Sequence, residues 1–174
     1  MPPPPSALSI LRRRRRPRPA LPSSPSASPP RRFSTNMQAR YSPGTDEPAA
    51  ASALAPLLAP SGGRWTLSSQ GQALERSFKF KSFAKAWDFM TAVSLQSKVK
   101  NHHPEWANVY NTAFVRWTTH NPRGLSRDDI AMASICDSIA RDFGELDPGP
   151  ASCDIKTLAD QVTVSAGDCC TPKK

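Results

Sequence analysis

The stretch HHPEWANVYNTAFVRWTTH, residues 102–120, is rich in the β-branched and aromatic side chains that favour strands. It predicts a strand region from Trp106 to Thr119, with a break near Asn111 as the alternative that divides it into two strands. A single extended strand rises about 3.3 Å per residue and would hold its two ends far apart. All the histidines of the chain lie at those ends: His102, His103 and His120. They can share one site only if the chain folds back near Asn111 or a neighbouring subunit contributes.

Imidazole is the side chain that gives or takes a proton near neutral pH without special tuning, since its reference pKa is about 6.5. Three convergent histidines would therefore suit acid/base chemistry. A histidine taken alone in a loop is more often simply solvated. Three histidines can also hold zinc with an open position. Against a shared metal ion, His102 and His103 are adjacent on an extended backbone and point to opposite sides.

Three residues support the histidines on the strand side of the motif: Pro104, Glu105 and Trp106. Pro104 restrains His103 to an extended conformation and so holds its ring in a fixed direction. Glu105 could orient an imidazole by accepting its second N–H, with a plain surface charge as the commoner alternative. Trp106 could stack on a flat heterocycle, although an aromatic side chain in a strand is more often part of the core.

The residues before the motif predict a β-hairpin followed by a helix. Trp65 to Leu67 and Ala73 to Lys81 favour strands, separated by turn residues. Ser82 is a good N-cap for a helix from Phe83 to about Lys100. The apolar stripe of this helix is wide enough for one side to cover a sheet and the other to meet a second subunit. The stripe consists of Phe83, Trp87, Met90 and Val93, widened by Phe89, Ala92 and Leu95.

After the motif, a turn at 121–124 leads into a second helix. Ser126 and Asp129 have the spacing of a capping box, and Gly144 supplies a C-terminal stop. Capping explains Asp129 completely, so no catalytic role is assigned to it. The buried stripe of this helix is predicted to be Met132, Ile135, Cys136, Ile139 and Phe143. The order of elements predicts an α+β fold, an antiparallel sheet with helices packed on one face.

Composition divides the 174 residues into one small globular domain and two ends that lack the composition of a globular domain. Residues 1–52 are predicted to be a disordered leader and linker rich in Arg, Pro and Ser, 53–146 the globular domain, and 147–174 a flexible tail. A core of about ninety residues is small, and small domains often gain stability by association, so we expect an oligomer.

The net charge of +9 is located in the leader. Residues 1–45 contain nine arginines and no acidic residue, whereas the rest of the chain carries 14 basic and 14 acidic residues. A neutral domain gives no support for direct contact with nucleic acid. The leader is typical of a mitochondrial transit peptide, with a processing region at 31–34. There are two alternatives, which predict the nucleus or the cytoplasm. One is a basic run at 12–18 that directs the chain to the nucleus or attracts nucleic acid, and the other is a solvated tail without a targeting signal.

The sequence lacks the motifs of several classes of protein. No apolar stretch approaches the ~20 residues that span a bilayer, so no membrane association is expected. A Gly-rich phosphate loop, a nucleophile elbow and a paired-carboxylate motif are absent, so no cofactor is expected. Neither a zinc site nor a disulfide framework fits the spacing of Cys136, Cys153, Cys169 and Cys170.

From Trp65 to Phe143 the sequence resembles the pterin-4a-carbinolamine dehydratases. The resemblance is carried by Phe78–Phe83 with Phe89–Thr91, by His102–Asn111, by Thr118–His120, and by Gly124–Ser126 with Asp129. The block HHPEWANVYN within it is long and specific. The chain departs from the family at Lys98, Asn101 and Asn121, where members often carry acidic residues.

The resemblance implies a four-stranded antiparallel sheet covered by helices, a two-layer sandwich, in a homodimer or homotetramer. It also implies dehydration of 4a-hydroxytetrahydropterin to quinonoid dihydropterin, a hydro-lyase step of tetrahydrobiopterin recycling without a cofactor. An acid must protonate the departing 4a-hydroxyl while a base removes the N5 proton. By similarity His102 and His120 are the acid/base pair, and His103 anchors the pterin. The same resemblance places around the pterin Asn101, Thr118, Thr119 and Asn121.

Two other functions stay open. Animal relatives also act as dimerisation partners of a homeodomain transcription factor, so the chain could be a non-catalytic interaction partner. Such a role would use the exposed side of the helix at 83–100. A metal hydrolase built on the three histidines is the other alternative, and it would carry stoichiometric zinc.

Overall fold

A computed structural model describes residues 38–68, 70–147, 155–157 and 159–161. All of them belong to one unit, residues 35–174. The predicted leader up to position 37 lies outside the described residues. Among the residues that are described, no helix is both long and apolar enough to cross a bilayer.

The main sheet consists of β1 (Thr66–Leu67), β2 (Leu74–Lys79), β3 (Glu105–Val109) and β4 (Thr112–Trp117). The strands are antiparallel and lie in the order β1-β2-β4-β3. β3 and β4 form the hairpin that the predicted break near Asn111 allowed. A small second sheet follows, β5 (Thr119–His120) with β6 (Arg123–Gly124). The predicted α+β fold with a four-stranded antiparallel sheet is confirmed.

The three longer helices are α1 (Glu47–Leu54), α2 (Phe83–Lys100) and α3 (Arg127–Asp142). α2 begins after Ser82, whose side chain accepts a hydrogen bond from the amide of Lys85, as predicted. α3 begins after Ser126 with both halves of the predicted capping box present. Two short 3₁₀ turns, Ala55–Leu57 and Ala59–Ser61, lie between α1 and β1.

The core lies between one face of the sheet and the helices α2 and α3. Side chains alternate along a strand, so every second residue of β2 and β4 points towards these helices. The fully buried side chains that meet there are Leu74, Phe78, Val115 and Trp117 from the strands and Phe89, Val93, Met132 and Cys136 from the helices. Burial of each large apolar side chain contributes about 1.5–3 kcal/mol to stability.

α2 buries a narrower stripe than its sequence suggested. Its buried residues are Ala86, Phe89, Met90, Val93 and Ser97. Phe83 and Trp87, assigned to the same stripe, are 47% and 53% exposed and stack on each other. Leu95 and Val99 are 57% and 78% exposed. One side of α2 therefore covers the sheet, and another side presents apolar side chains that the described residues leave uncovered.

The packed part of the chain begins before residue 53, the boundary predicted from composition. α1 buries Ala50 and Leu54. Upstream of it, the amide of Ser42 donates to the carbonyl of Leu125 at 2.8 Å, and the amide of Leu125 donates to the carbonyl of Arg40 at 2.9 Å. Gly124 permits this approach, because a Cβ atom there would lie 2.5 Å from the Ser42 nitrogen. Because these residues join the fold through backbone hydrogen bonds, their side chains show no periodic pattern from which the contact could be predicted.

Helical residues 155–157 and 159–161 lie against the face of the sheet opposite α2 and α3. Ile155 and Ala159 are buried there against Phe114 of β4. These residues belong to the range 147–174, for which composition predicts a flexible tail. A single pair of apolar residues four positions apart is too short a pattern to predict a docked helix.

Candidate functional site

The β3–β4 hairpin brings the two ends of the histidine motif together. The rings of His103 and His120 stack with their centroids 5.8 Å apart and an interplanar angle of 23°. The pair therefore meets within one chain, by the fold-back near Asn111, and needs no second subunit. His103 is exposed, and His120 is partly exposed, at 27% of its side chain.

His102 is directed to the other side, towards the core and the start of α3. Its Nε2–H donates to Oδ1 of Asp129 at 2.7 Å, and its ring stacks on Trp117 with centroids 5.5 Å apart. The side chain of Asp129 is fully buried, whereas that of His102 keeps 16% of its surface exposed. The hydrogen bond fixes the tautomer of the neutral ring, so Nδ1 is the nitrogen that can accept a proton.

Asp129 raises the pKa of His102 above its ordinary value. The largest cause is the hydrogen bond between the two side chains, and the charges of Asp129 and Asp128 act in the same direction. Burial of the ring opposes them, because desolvation disfavours the imidazolium form. The balance leaves His102 protonated at higher pH than a free histidine, which suits a proton donor.

Asp129 was explained from the sequence as a capping residue alone, and the structure gives it a second contact. One carboxylate oxygen, Oδ2, accepts from the amide of Ser126 at 2.7 Å and completes the cap. The other, Oδ1, holds His102. This residue is the positioning group that sequence reasoning missed, because residues 102 and 129 are joined only by the tertiary fold.

Thr118 and Thr119, the threonines predicted to line the pocket, each donate a side-chain hydrogen bond to another residue of the protein. The hydroxyl of Thr119 donates to Oδ2 of Asp129 at 2.9 Å and so supports the group that holds His102. The hydroxyl of Thr118 donates to the carbonyl of Gln72 at 2.8 Å. Both threonines are half-buried.

Asn101 and Asn121, also predicted around the pterin, are exposed. Asn101 ends α2 in the left-handed region, with φ 49° and ψ 38°. Its amide donates to the carbonyl of Lys98, and the amide of His102 donates to that of Ser97, the pair of bonds of a Schellman cap. Asn121 precedes Pro122 through a cis peptide bond in the turn between β5 and β6. Asn101 therefore has a structural reason to be asparagine.

Glu105 and Trp106 have separate partners. Glu105 directs Oε1 towards Nε2 of His120 at 3.7 Å and accepts from Nη1 of Arg116 through Oε2 at 3.0 Å. Trp106 is half-buried and packs against the core, which favours the structural alternative for its ring. Pro104, between the histidines and β3, is half-buried.

The two adjacent histidines lie in different surroundings, His102 beside Asp129 and His103 beside His120. Within the described ranges, no three His, Cys, Asp or Glu side chains are grouped to hold a metal ion. The arrangement offers instead two imidazoles with a carboxylate neighbour, one buried on the helix side and one beside the exposed ring of His103.

The family model described as pterin 4 alpha carbinolamine dehydratase matches residues 45–139. The chain belongs to the pterin-4a-carbinolamine dehydratase family. The match spans all three histidines, Asp129 and most of the main fold, and it begins two residues before α1.

Curated members of the family are similar over the same region. A protein of Rhodospirillum rubrum named "Putative pterin-4-alpha-carbinolamine dehydratase" is 44% identical over 75 residues, which cover 43% of this chain and 78% of that protein. One of the same name from Novosphingobium aromaticivorans is 46% identical over 74 residues, covering 42% and 77%. A crystal structure from Brucella melitensis, described as a transcriptional coactivator/pterin dehydratase, is 37% identical and covers 54% of this chain and 95% of its own, with a TM-score of 0.48.

Proposed function

We propose that this protein is a 4a-hydroxytetrahydropterin dehydratase that forms quinonoid dihydropterin and water by histidine acid/base catalysis. The observation that carries the proposal is the partly buried hydrogen bond from His102 to Asp129 in a member of this family. It gives one imidazole a fixed tautomer and a raised pKa within the motif that also holds His103 and His120.

The proposed roles follow from the surroundings of each ring. His102 donates a proton to the departing 4a-hydroxyl group, because Asp129 favours its imidazolium form. His120 accepts the proton from N5, and Glu105 would stabilise the imidazolium that results. One proton is supplied and one is taken, so the products are water and the quinonoid pterin. His103, exposed and stacked beside His120, anchors the pterin.

The wider setting of this activity is also proposed. The chain would serve tetrahydrobiopterin recycling as a homodimer or homotetramer, without contact with nucleic acid. The arginine-rich leader supports import into mitochondria. Sequencing the N-terminus of the native protein tests the import: a start near Ser34 supports it, and an intact Met1 contradicts it.

The decisive experiment follows the decay of enzymatically generated 4a-hydroxytetrahydropterin with and without the protein. The wild type should accelerate it, and His102→Ala and His120→Ala should each lower kcat by about 100-fold or more, the scale of general acid/base catalysis. Lys81→Ala, which changes an exposed residue outside the site, is the control and should keep wild-type activity. Full activity of either histidine variant would contradict the mechanism.

The same variants separate catalysis from the alternative role as an interaction partner. Substitution of His102 or His120 should abolish dehydration and leave assembly of the chain unchanged, as measured by gel filtration. A wild-type protein that assembles but leaves the decay of the pterin unchanged would favour the alternative.

A further inference from the structure

The sheet face opposite α2 and α3 carries a row of charges centred on β4. Strand register sets Arg116 opposite Glu75 of β2 on one side and opposite Glu105 of β3 on the other. Directly opposed residues of neighbouring strands lie on the same face, so the three side chains meet. Nε of Arg116 donates to Glu75 at 2.8 Å, and Nη1 donates to Glu105 at 3.0 Å.

Glu105 links this row to the candidate site. Its Oε2 accepts from Arg116, and its Oε1 lies 3.7 Å from Nε2 of His120. Because Arg116 holds one oxygen, rotation of the carboxylate is restricted, and the other oxygen stays turned towards the imidazole. The direction of Glu105 therefore depends on how firmly the guanidinium is itself held.

The C-terminal helical residues supply the remaining partners. Asp160 accepts from Nη2 of Arg116, and Lys156 is paired with Glu75. Ile155 and Ala159 are four residues apart, and each directly precedes one of these charged residues. They pack on Phe114, the neighbour of Arg116 on the same face of the sheet. The pair between Arg116 and Glu75 is little screened by solvent, because these side chains keep only 11% and 4% of their surface exposed. Asp160 and Lys156 keep 45% and 46% exposed, so their pairs are screened more.

The surroundings of Arg116 keep it charged. Burial opposes the guanidinium form, but hydrogen bonds to Asp160 and Glu105 and the charge of Glu75 more than offset it and raise the pKa of Arg116. Three acidic side chains, Glu75, Glu105 and Asp160, contact two basic ones, Arg116 and Lys156.

We propose that Arg116 and Asp160 are positioning residues for His120, and that the helical residues 155–157 and 159–161 complete the site by holding Arg116 and, through it, Glu105. This inference rests on the proposed function of His120 as the base. It assigns a role in catalysis to a segment outside the matched family region, which ends at residue 139.

The test uses the full-length chain and the substitution Asp160→Asn, which removes a charge at a half-exposed position and leaves the core intact. The chain has three histidines, so a ¹³C-resolved proton spectrum contains three Hε1–Cε1 signals, assigned with His→Gln variants. Asp160→Asn should shift the His120 signal and leave the His102 signal in place. It should also lower kcat by about 2- to 10-fold with little change in KM, the scale of coupling between contacting groups.

Two further variants define the result. Asp160→Glu keeps the charge and should restore both the signal and kcat, and Gln161→Ala, an exposed neighbour, should leave both unchanged. A His120 signal that does not respond to Asp160→Asn would overturn the inference, even if the wild type is a dehydratase. A shifted His120 signal in a protein without dehydratase activity would instead support the positioning and contradict the proposed function.

Discussion

The carboxylate of Asp129 connects helix capping to the candidate chemistry at the scale of single residues. Its two oxygens are divided between the amide of Ser126 and the ring of His102. A buried carboxylate without both contacts would be strongly destabilising, since an unpaired buried charge is costly. The cap of α3 and the proposed acid, His102, are therefore interdependent.

Replacement of Asp129 by Asn should change the pH dependence of dehydration. Asp129→Asn removes the hydrogen-bonded charge that raises the pKa of His102, so that pKa should fall. An acid works only while protonated, and the alkaline limb of the kcat/KM profile should move to lower pH. Asp128→Asn, at an exposed neighbour whose charge is the smallest cause of the shift, should move it less in the same direction. An alkaline limb that stays in place in Asp129→Asn would remove His102 from the role of acid.

Asn101 allows its predicted contact with the pterin to be separated from its role in ending α2. Asn101→Gly keeps the left-handed backbone, whereas Asn101→Val forces a β-branched residue into it and should cost about 1–2 kcal/mol of stability in urea unfolding. If Asn101 binds pterin, Asn101→Gly should raise KM with wild-type stability. An unchanged KM would limit this residue to the helix end.

The sequence shows where the histidines lie along the chain, but it predicts their geometry only in part, and their chemistry stays a prediction. The fold-back that brings His103 to His120 was one of the two arrangements that strand length allowed, the other being a contribution from a neighbouring subunit. The contact of His102 with Asp129 could not be predicted, because no local pattern relates residues 27 positions apart. Long-range polar contacts depend on the assembled fold.

At the scale of elements, Ser82 and Ser126, the N-caps of α2 and α3, provide a matched pair of positions for substitution. Ser126→Ala and Ser82→Ala should each lower the free energy of unfolding by about 1 kcal/mol, since each removes a side chain that caps a helix. Only Ser126 also contacts Asp129, through Oγ at 3.0 Å from Oδ2. Ser126→Ala should therefore lower kcat as well, whereas Ser82→Ala should not. Equal kcat values in the two variants would show that the cap does not support the site.

The helices α2 and α3 were predicted with nearly the observed bounds because their start signals are local. Ser82 and Ser126 act on amides within one turn, and the apolar period is visible in the sequence. Residues 38–46, 155–157 and 159–161 were missed for the opposite reason, since their contacts are not local. The first range joins the fold through backbone hydrogen bonds, and the other two through ion pairs on a sheet face.

For the whole molecule, the uncovered side of α2 is the proposed surface for association. Leu95 and Val99 lie one helical turn apart and are largely exposed, and neighbouring exposed apolar side chains can mark a surface at which a partner binds. The double variant Leu95→Glu with Val99→Glu should reduce the sedimentation coefficient to that of a monomer. Ser134→Glu adds charge to an exposed position of a different helix, α3, and should leave the oligomer intact. A monomeric wild type at all concentrations would contradict the proposal.

The pairing of Arg40 and Ser42 with Leu125 sets a limit on how the chain can mature. A protease that cuts near Ser34 would leave these backbone bonds in place. A cut after Ser42 would detach the segment at 40–42 that packs on Gly124 and would loosen the turn leading to Ser126 and Asp129. Trimming that preserves the proposed proton donor must therefore stop before Arg40.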